Sequence, residues 1–122
     1  MTGSLLEAAS ERVLVRNVVR ATGPIARMVG LLGRTRMRAD EGMWFDRCSS
    51  IHTLGMRMTI DVVFLDEEGV VVAVEAAVKP HRPWVAARGA RSVLELAEGN
   101  AARQGIAKGM RLTVQWNSRT SS

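Results

Sequence analysis

The sequence is poor in several residue types: among its 122 residues are one cysteine, three prolines, two histidines and no tyrosine. A single cysteine excludes an intrachain disulfide, and nothing in its use indicates an oxidising compartment. No apolar run approaches the roughly 18 residues that a membrane span requires. The first ten residues lack a basic stretch followed by an apolar one, so no secretion signal is predicted. We therefore expect a cytoplasmic protein without a membrane association.

Acidic residues are the minority charge, since 12 Asp and Glu stand against 17 Lys and Arg and give a formal net charge of +5. An excess of cations suits nucleic acid when the cations cluster, because phosphates attract them. Here the basic residues are spread over the whole chain, and two Phe and three Trp do not predict a base-stacking platform. Nucleic acid is therefore not the expected partner.

The composition is that of an ordinary globular protein, with 47% hydrophobic and 24% charged residues. This length and composition predict one domain with its own core. We place that β-rich domain at residues 11–117. The ends, residues 1–10 and 118–122, are predicted to be flexible tails.

Most of the chain has the pattern of short strands. Residues 11–20 are rich in β-branched side chains. Residues 59–66 and 70–77 are apolar on both faces, and the acidic, glycine-ended run Asp66–Gly69 between them predicts a hairpin. We expect both hairpin strands to be central in a sheet or covered on both faces. Strands at 43–45, 92–96 and 110–116 bring the count to six, or to seven with the piece of the 48–66 stretch that precedes Gly55.

Helical signals are few. Pro24 follows a capping Thr-Gly pair and precedes an apolar stripe, which predicts one short helix over 24–32. Gly99 and Asn100 precede a predicted helical turn at 101–104. Because strands and helices do not alternate, the fold predicted is mainly β: a single-domain antiparallel sandwich or distorted barrel with one short helix and one helical turn.

The most unusual chemistry lies in one stretch, residues 48–66. Asp61 is the only acid inside a strand of apolar residues, so it needs a partner if buried. It would either orient His52 as a general base or be held structurally by backbone amides or an arginine such as Arg57 or Arg88. Glu95, the acid inside the 92–96 strand, has the same two interpretations.

Cys48 and His52 are the candidate catalytic residues. A cysteine nucleophile would need His52 or His81 beside it, whereas a lone cysteine is otherwise a small buried hydrophobe. In a straight strand Cys48, His52 and Met56 would share a face and suit a soft metal such as Cu(I). Gly55 interrupts that strand, and no zinc-ligand spacing is present. Soft-metal binding through these three residues is therefore kept only as a second alternative function, while no metal ligand is assigned and no cofactor is predicted.

Four motifs taken together carry a family resemblance: Gly30-Leu31-Leu32, Glu41–Phe45, Ile51–Asp66 and Val93–Gly99. In order and spacing they resemble the domain of unknown function 192 family, and the run Ile51-His-Thr-Leu-Gly-Met resembles its histidine-bearing branch. The resemblance covers residues 13–114. It implies a small, mainly β, bacterial or archaeal domain without an established activity. It also implies that Asp61 is the family's strand aspartate and Glu95 its Leu-Glu-Leu glutamate.

Besides soft-metal binding, two functions remain open from the sequence. The first is a non-enzymatic accessory module, a monomer or weak homodimer, that binds a small ligand or a protein partner. Its polar pocket around His52 and Asp61 would be lined by six residues: His52, Thr53, Met56, Asp61, Trp84 and Glu95. The alternative is a small hydrolase or transferase that uses Cys48 or His52, so an enzymatic activity is neither predicted nor excluded.

Overall fold

The computed structural model describes residues 1–21 and 33–117. The helix predicted over 24–32 and the tail predicted over 118–122 lie outside these residues. Within them the chain forms nine strands and one short helix. These are β1 (Thr2–Glu7), β2 (Val13–Ala21), β3 (Glu41–Asp46), β4 (Ser50–Ile51), β5 (Ile60–Leu65), β6 (Val71–Val78), β7 (Val85–Ala86), β8 (Ser92–Ala97), α1 (Asn100–Arg103) and β9 (Leu112–Trp116).

Seven strands form one sheet in the order β6-β5-β8-β3-β2-β1-β9, and β4 pairs with β7 in a small second sheet. Every neighbouring pair is antiparallel except β2 and β3, which run parallel. The edge strands meet at one corner, where Val70 pairs with Arg111. No continuous ladder joins them in the described residues, so the sheet is not a closed barrel. The mainly β, sandwich-like single domain predicted from the sequence is confirmed, with a mixed rather than purely antiparallel sheet.

The prediction of a flexible tail over residues 1–10 is wrong. Thr2–Glu7 form β1, which pairs with both β2 and β9, and the side chain of Leu5 is fully buried. Gly3 suits this position because a Cβ there would lie 2.6 Å from the carbonyl oxygen of Gln115. The close approach of β1 to β9 therefore depends on a residue without a side chain.

β5 separates two hydrophobic cores, because its side chains alternate between the faces of the sheet. Val63 and Leu65 pack with Leu5, Leu94 and other aliphatic residues of β1, β2, β8 and α1. Ile60, Val62 and Phe64 pack on the opposite face. All six residues of β5 are buried, as expected for a strand with apolar residues on both faces. β6 differs from its prediction, since it is an edge strand with an exposed stretch at 75–77.

Two irregular segments cover the second core. Residues 47–59 bring Cys48, Ile51, Met56 and Met58 into it, and residues 79–91 bring Val85 and Ala90. The small β4–β7 sheet joins the two segments, with Ile51 opposite Val85. This covering layer carries most of the candidate site residues. No helix in the described part of the chain is long and apolar enough to cross a bilayer.

Candidate functional site

Thr53 holds two surface loops together. Its amide donates to the carbonyl of Arg82 (2.8 Å), and its own carbonyl accepts from the amide of His81 (2.8 Å). Its hydroxyl donates to the carbonyl of Lys79 (2.7 Å) and accepts from the amide of Arg82 (2.8 Å). Thr53 is fully buried, and both its backbone and its side chain make hydrogen bonds to the loop that contains residues 79–82. The loops 52–57 and 79–84 are therefore fixed relative to each other by four hydrogen bonds.

The exposed side chains of these two loops form what we call the paired-loop surface: His52, Leu54, Arg57, Lys79, His81, Arg82 and Trp84. Trp84 is 70% exposed and Leu54 47%, which is unusual for side chains of their apolar area. His81 has a φ of +69°, a left-handed conformation that non-glycine residues seldom adopt. The fold thus holds an indole, two imidazoles and three cations out into solvent from ordered backbone.

The surface belongs to a part of the protein that has no acidic residue. Segments 47–60 and 76–94 contain six Lys and Arg, both histidines and no Asp or Glu. The rest of the chain has 11 Lys and Arg against 12 Asp and Glu. Pairing of β4 with β7, together with the Thr53 contacts, brings the two acid-free segments side by side. The protein's entire formal excess of positive charge is therefore concentrated in this covering layer.

Asp61 lies apart from this surface, in the interior. It is 1% exposed, and its Oδ1 accepts from the amide of Ala77 (2.9 Å) while its Oδ2 accepts from the amide of Ala101 (3.0 Å). The structural alternative, a carboxylate held by backbone amides, matches this geometry. The other alternative does not, because both oxygens are engaged and His52 is exposed. His52 and Asp61 therefore do not line a shared polar pocket.

Two more of the predicted ligand-binding residues are core residues. Glu95 is 4% exposed and lies between Met43 of β3 and Val62 of β5 in the sheet. Met56 is buried in the second core. Of the six residues predicted to line the site, the structure brings His52, Thr53 and Trp84 together. It leaves Met56, Asp61 and Glu95 in the interior.

Cys48 is a buried residue of the second core. Its thiol donates a hydrogen bond to the carbonyl of Ser50 (3.1 Å). Both histidines are described, and neither makes a hydrogen bond to the thiol. The geometry therefore offers no base to activate a cysteine nucleophile. It matches the alternative in which Cys48 is a small buried hydrophobe.

The soft-metal alternative needs Cys48, His52 and Met56 on one face, and the chain does not place them so. Cys48 and Met56 point into the core, whereas His52 points to solvent, because the chain bends between β4 and Gly55. Across residues 1–21 and 33–117, no three or more His, Cys, Asp or Glu side chains are close enough to hold a metal ion.

Sequence reasoning named His81 only as a possible partner of Cys48 and did not name Arg82, although Thr53 fixes both beside His52. The sequence signal that could have found them was the absence of acidic residues, not the positions of the basic residues. No Asp or Glu occurs between Asp46 and Asp61 or between Glu75 and Glu95. Counting basic residues alone hides this pattern, because they are indeed spread along the whole chain.

Solved structures share this fold. A protein from Sinorhizobium meliloti 1021, proposed to be a transcription regulator, is 28% identical and superposes with a TM-score of 0.78, over 93% of this chain and 92% of its own. A protein of unknown function from Novosphingobium aromaticivorans DSM 12444 is 24% identical, with a TM-score of 0.77 over 95% of this chain and 84% of its own. No curated protein matches the chain. Residues 6–114 match the domain of unknown function 192 family (DUF192, an uncharacterised ACR), and the chain belongs to that family.

Proposed function

We propose that the protein is a non-enzymatic binding module that binds single-stranded nucleic acid on the paired-loop surface. The observation that carries this proposal is the paired-loop surface, which presents three cations beside the exposed indole of Trp84 in a layer without acidic residues. Phosphates reward clustered cations, and an acid-free surface avoids the repulsion that a mixed surface would impose on them.

The planar side chains favour a single strand over a duplex. Unpaired bases stack on Trp and His rings and on Arg guanidinium planes, whereas a duplex hides its base faces. Trp84, His52, His81 and Arg82 supply such planes on one surface. The relative from Sinorhizobium meliloti, proposed to be a transcription regulator, agrees with a nucleic-acid partner. The sequence alone did not predict this partner, because it does not reveal that the two acid-free segments lie together.

An enzymatic role is not part of this proposal. A hydrolase or transferase that used Cys48 would require a base beside the thiol, and the thiol's hydrogen bond goes to the Ser50 carbonyl instead. His52, exposed and without Asp61 to orient it, serves as a binding residue in the proposed function.

The test is fluorescence anisotropy with a labelled single-stranded 20-mer at low salt, compared with the same sequence as a duplex. We expect the wild-type protein to bind the single strand more tightly. Trp84→Ala leaves the net charge unchanged but removes one stacking plane, so we expect affinity for the single strand to fall at least about 5-fold.

Val19→Ala is the matched control, since Val19 is also an exposed apolar residue but lies on β2. It should bind like the wild type. Equal binding of single strand and duplex, or a Trp84→Ala variant with full affinity, contradicts the proposal. Polyglutamate of similar length then serves as a competitor. If it does not displace the oligonucleotide, an acidic protein segment is excluded as the partner. If it binds more tightly than the oligonucleotide, the nucleic-acid proposal fails.

A further inference from the structure

A second basic feature lies at one end of the main sheet and is not part of the paired-loop surface. It is a hollow of about 540 Å³. Its lining includes Arg20, Asp46, Arg47, Glu67, Arg91 and Ser92. They come from the end of β2, the end of β3, the hairpin between β5 and β6, and the start of β8. We call it the arginine hollow.

We propose that the arginine hollow binds a phosphate monoester whose organic part carries hydroxyl groups. The proposal goes beyond the nucleic-acid function and does not depend on Trp84. Hollows of roughly 300–1,000 Å³ hold small molecules, and 540 Å³ leaves room for an organic part beside the phosphate.

The backbones of Arg47 and Arg91 are joined directly. The peptide that links Arg47 to Cys48 donates its N–H to the carbonyl of Arg91 (3.0 Å). The amide of Arg91 in turn donates to the carbonyl of Leu65 (2.7 Å). Both arginines line the hollow, and the sheet holds their backbone in place. A pair of arginine forks at one site suits a dianionic phosphate better than a single carboxylate.

Arg47 also occupies a conformation that its side chain disfavours. Its φ is +51°, in the left-handed region where glycine is the usual residue. An arginine at a position that favours glycine suggests a use for the side chain itself. Backbone strain of this kind is found preferentially at ligand sites.

The acids of the hollow do not cancel these two arginines. Asp46 is already engaged, because its Oδ2 accepts from Nε of Arg20 and its Oδ1 accepts from Nε1 of Trp44 (2.9 Å). Arg20 is further held by Trp116, whose ring centroid lies 5.4 Å from the guanidinium carbon. Glu67 is the remaining acid and is exposed on the hairpin. Together with the Ser92 hydroxyl, it suits the hydroxyl groups of the ligand's organic part.

The experiment titrates the full chain with glucose 6-phosphate and follows amide chemical shifts by NMR. This probe has no base, so stacking on Trp84 does not contribute. We expect saturable shifts at residues 46–47, 67 and 91–92, and none with glucose. Arg47→Gly should weaken binding about 10-fold or more, because one charged fork is lost. Its urea unfolding midpoint should stay unchanged or rise, since glycine accepts a positive φ.

Two arginines outside the hollow provide controls. Arg16→Ala removes an exposed cation from β2, and Arg82→Ala removes one from the paired-loop surface. Both should bind glucose 6-phosphate like the wild type. A wild-type protein that does not respond to glucose 6-phosphate, an Arg47→Gly variant that binds normally, or an equal loss in Arg82→Ala overturns the proposal.

The source of the phosphate is a separate outcome. If a 5′-phosphorylated oligonucleotide binds more tightly than its 5′-hydroxyl form, and Arg47→Gly removes the difference, the hollow binds the end of a strand. If the two forms bind alike while glucose 6-phosphate binds, the hollow takes a free small molecule. The Trp84→Ala result is independent of both, so this proposal and the nucleic-acid function fail separately.

Discussion

Asp61 shows how a charged residue is accommodated inside apolar β-structure. Strand β6 has one residue more than β5 between the pairs Ile60–Val78 and Val62–Glu75, which is a β-bulge. Ala77 lies in this bulge with a φ of +52°, and its amide is bound by Asp61 rather than by the ladder. The second oxygen of Asp61 binds the amide of Ala101 in α1. One carboxylate therefore satisfies donors of two elements that the sheet leaves unpaired.

Removal of this carboxylate should destabilise the fold. In Asp61→Ala the buried amide of Ala101 has no acceptor, and that of Ala77 must find water. An unsatisfied buried donor costs about 1–3 kcal/mol, so we expect a loss of about 2–3 kcal/mol in the free energy of unfolding, measured by urea denaturation. Glu75→Ala is the control, because Glu75 is an exposed acid on β6. An Asp61→Ala midpoint equal to that of the control contradicts the structural role.

The same residue illustrates what sequence can and cannot reveal. That a lone acid between Ile60 and Val62 needs a partner follows from the cost of burying charge. Which partner it has does not follow, because Ala77 and Ala101 are 16 and 40 residues away and act only through their backbones. An alanine carries no side-chain signal of such a contact. Residue type therefore predicted the need for a partner but not its identity.

At the scale of elements, local patterns were the ones that sequence predicted well. The hairpin of β5 and β6, the alternating strand β9 and the turn of helix at α1 each depend on residues adjacent in the chain. β1 and the parallel pairing of β2 with β3 depend on distant partners. β6 is an edge strand although it is rich in valine. Val72 and Val74 are half-buried against the two cores, and the described residues place no further strand beside them.

The loops 52–57 and 79–84 should be held less firmly in Thr53→Val, because two of the four hydrogen bonds that join them use the hydroxyl. Valine matches threonine in shape but leaves the Lys79 carbonyl and the Arg82 amide without their hydroxyl partner. We expect a loss of about 1–2 kcal/mol in the free energy of unfolding. Hydrogen exchange should accelerate at Arg82, and affinity for the single-stranded oligonucleotide should fall. Thr113→Val, on the exposed side of β9, is the matched control and should change neither exchange nor affinity.

At the scale of the whole molecule, the fold segregates charge that the sequence disperses. The acid-free segments 47–60 and 76–94 stay together despite mutual repulsion, because their apolar residues complete the second core. Burial of side chains such as Ile51, Met56 and Val85 contributes about 1.5–3 kcal/mol each, more than exposed like charges oppose at physiological salt. The core thus fixes a cationic surface that electrostatics alone would disperse.

If this segregated charge binds a polyanion, its position must matter as well as its amount. Arg57→Glu/Arg82→Glu reverses two charges on the paired-loop surface, and Arg16→Glu/Lys108→Glu makes the same change in net charge at exposed positions elsewhere. Each phosphate contact contributes about 0.7 to the slope of log affinity against log salt concentration for a single strand. We expect the first variant to bind the 20-mer weakly and to lose about 1.4 units or more of that slope.

The second variant should keep most of the affinity and a slope close to that of the wild type, because its changed residues lie outside the acid-free segments. Equal losses in the two variants would mean that net charge alone attracts the oligonucleotide and that the paired-loop surface has no special part in binding. Circular dichroism of both variants checks that the sheet is intact. Since all four positions are exposed, reversal of their charges should leave the two cores and the Thr53 contacts unchanged.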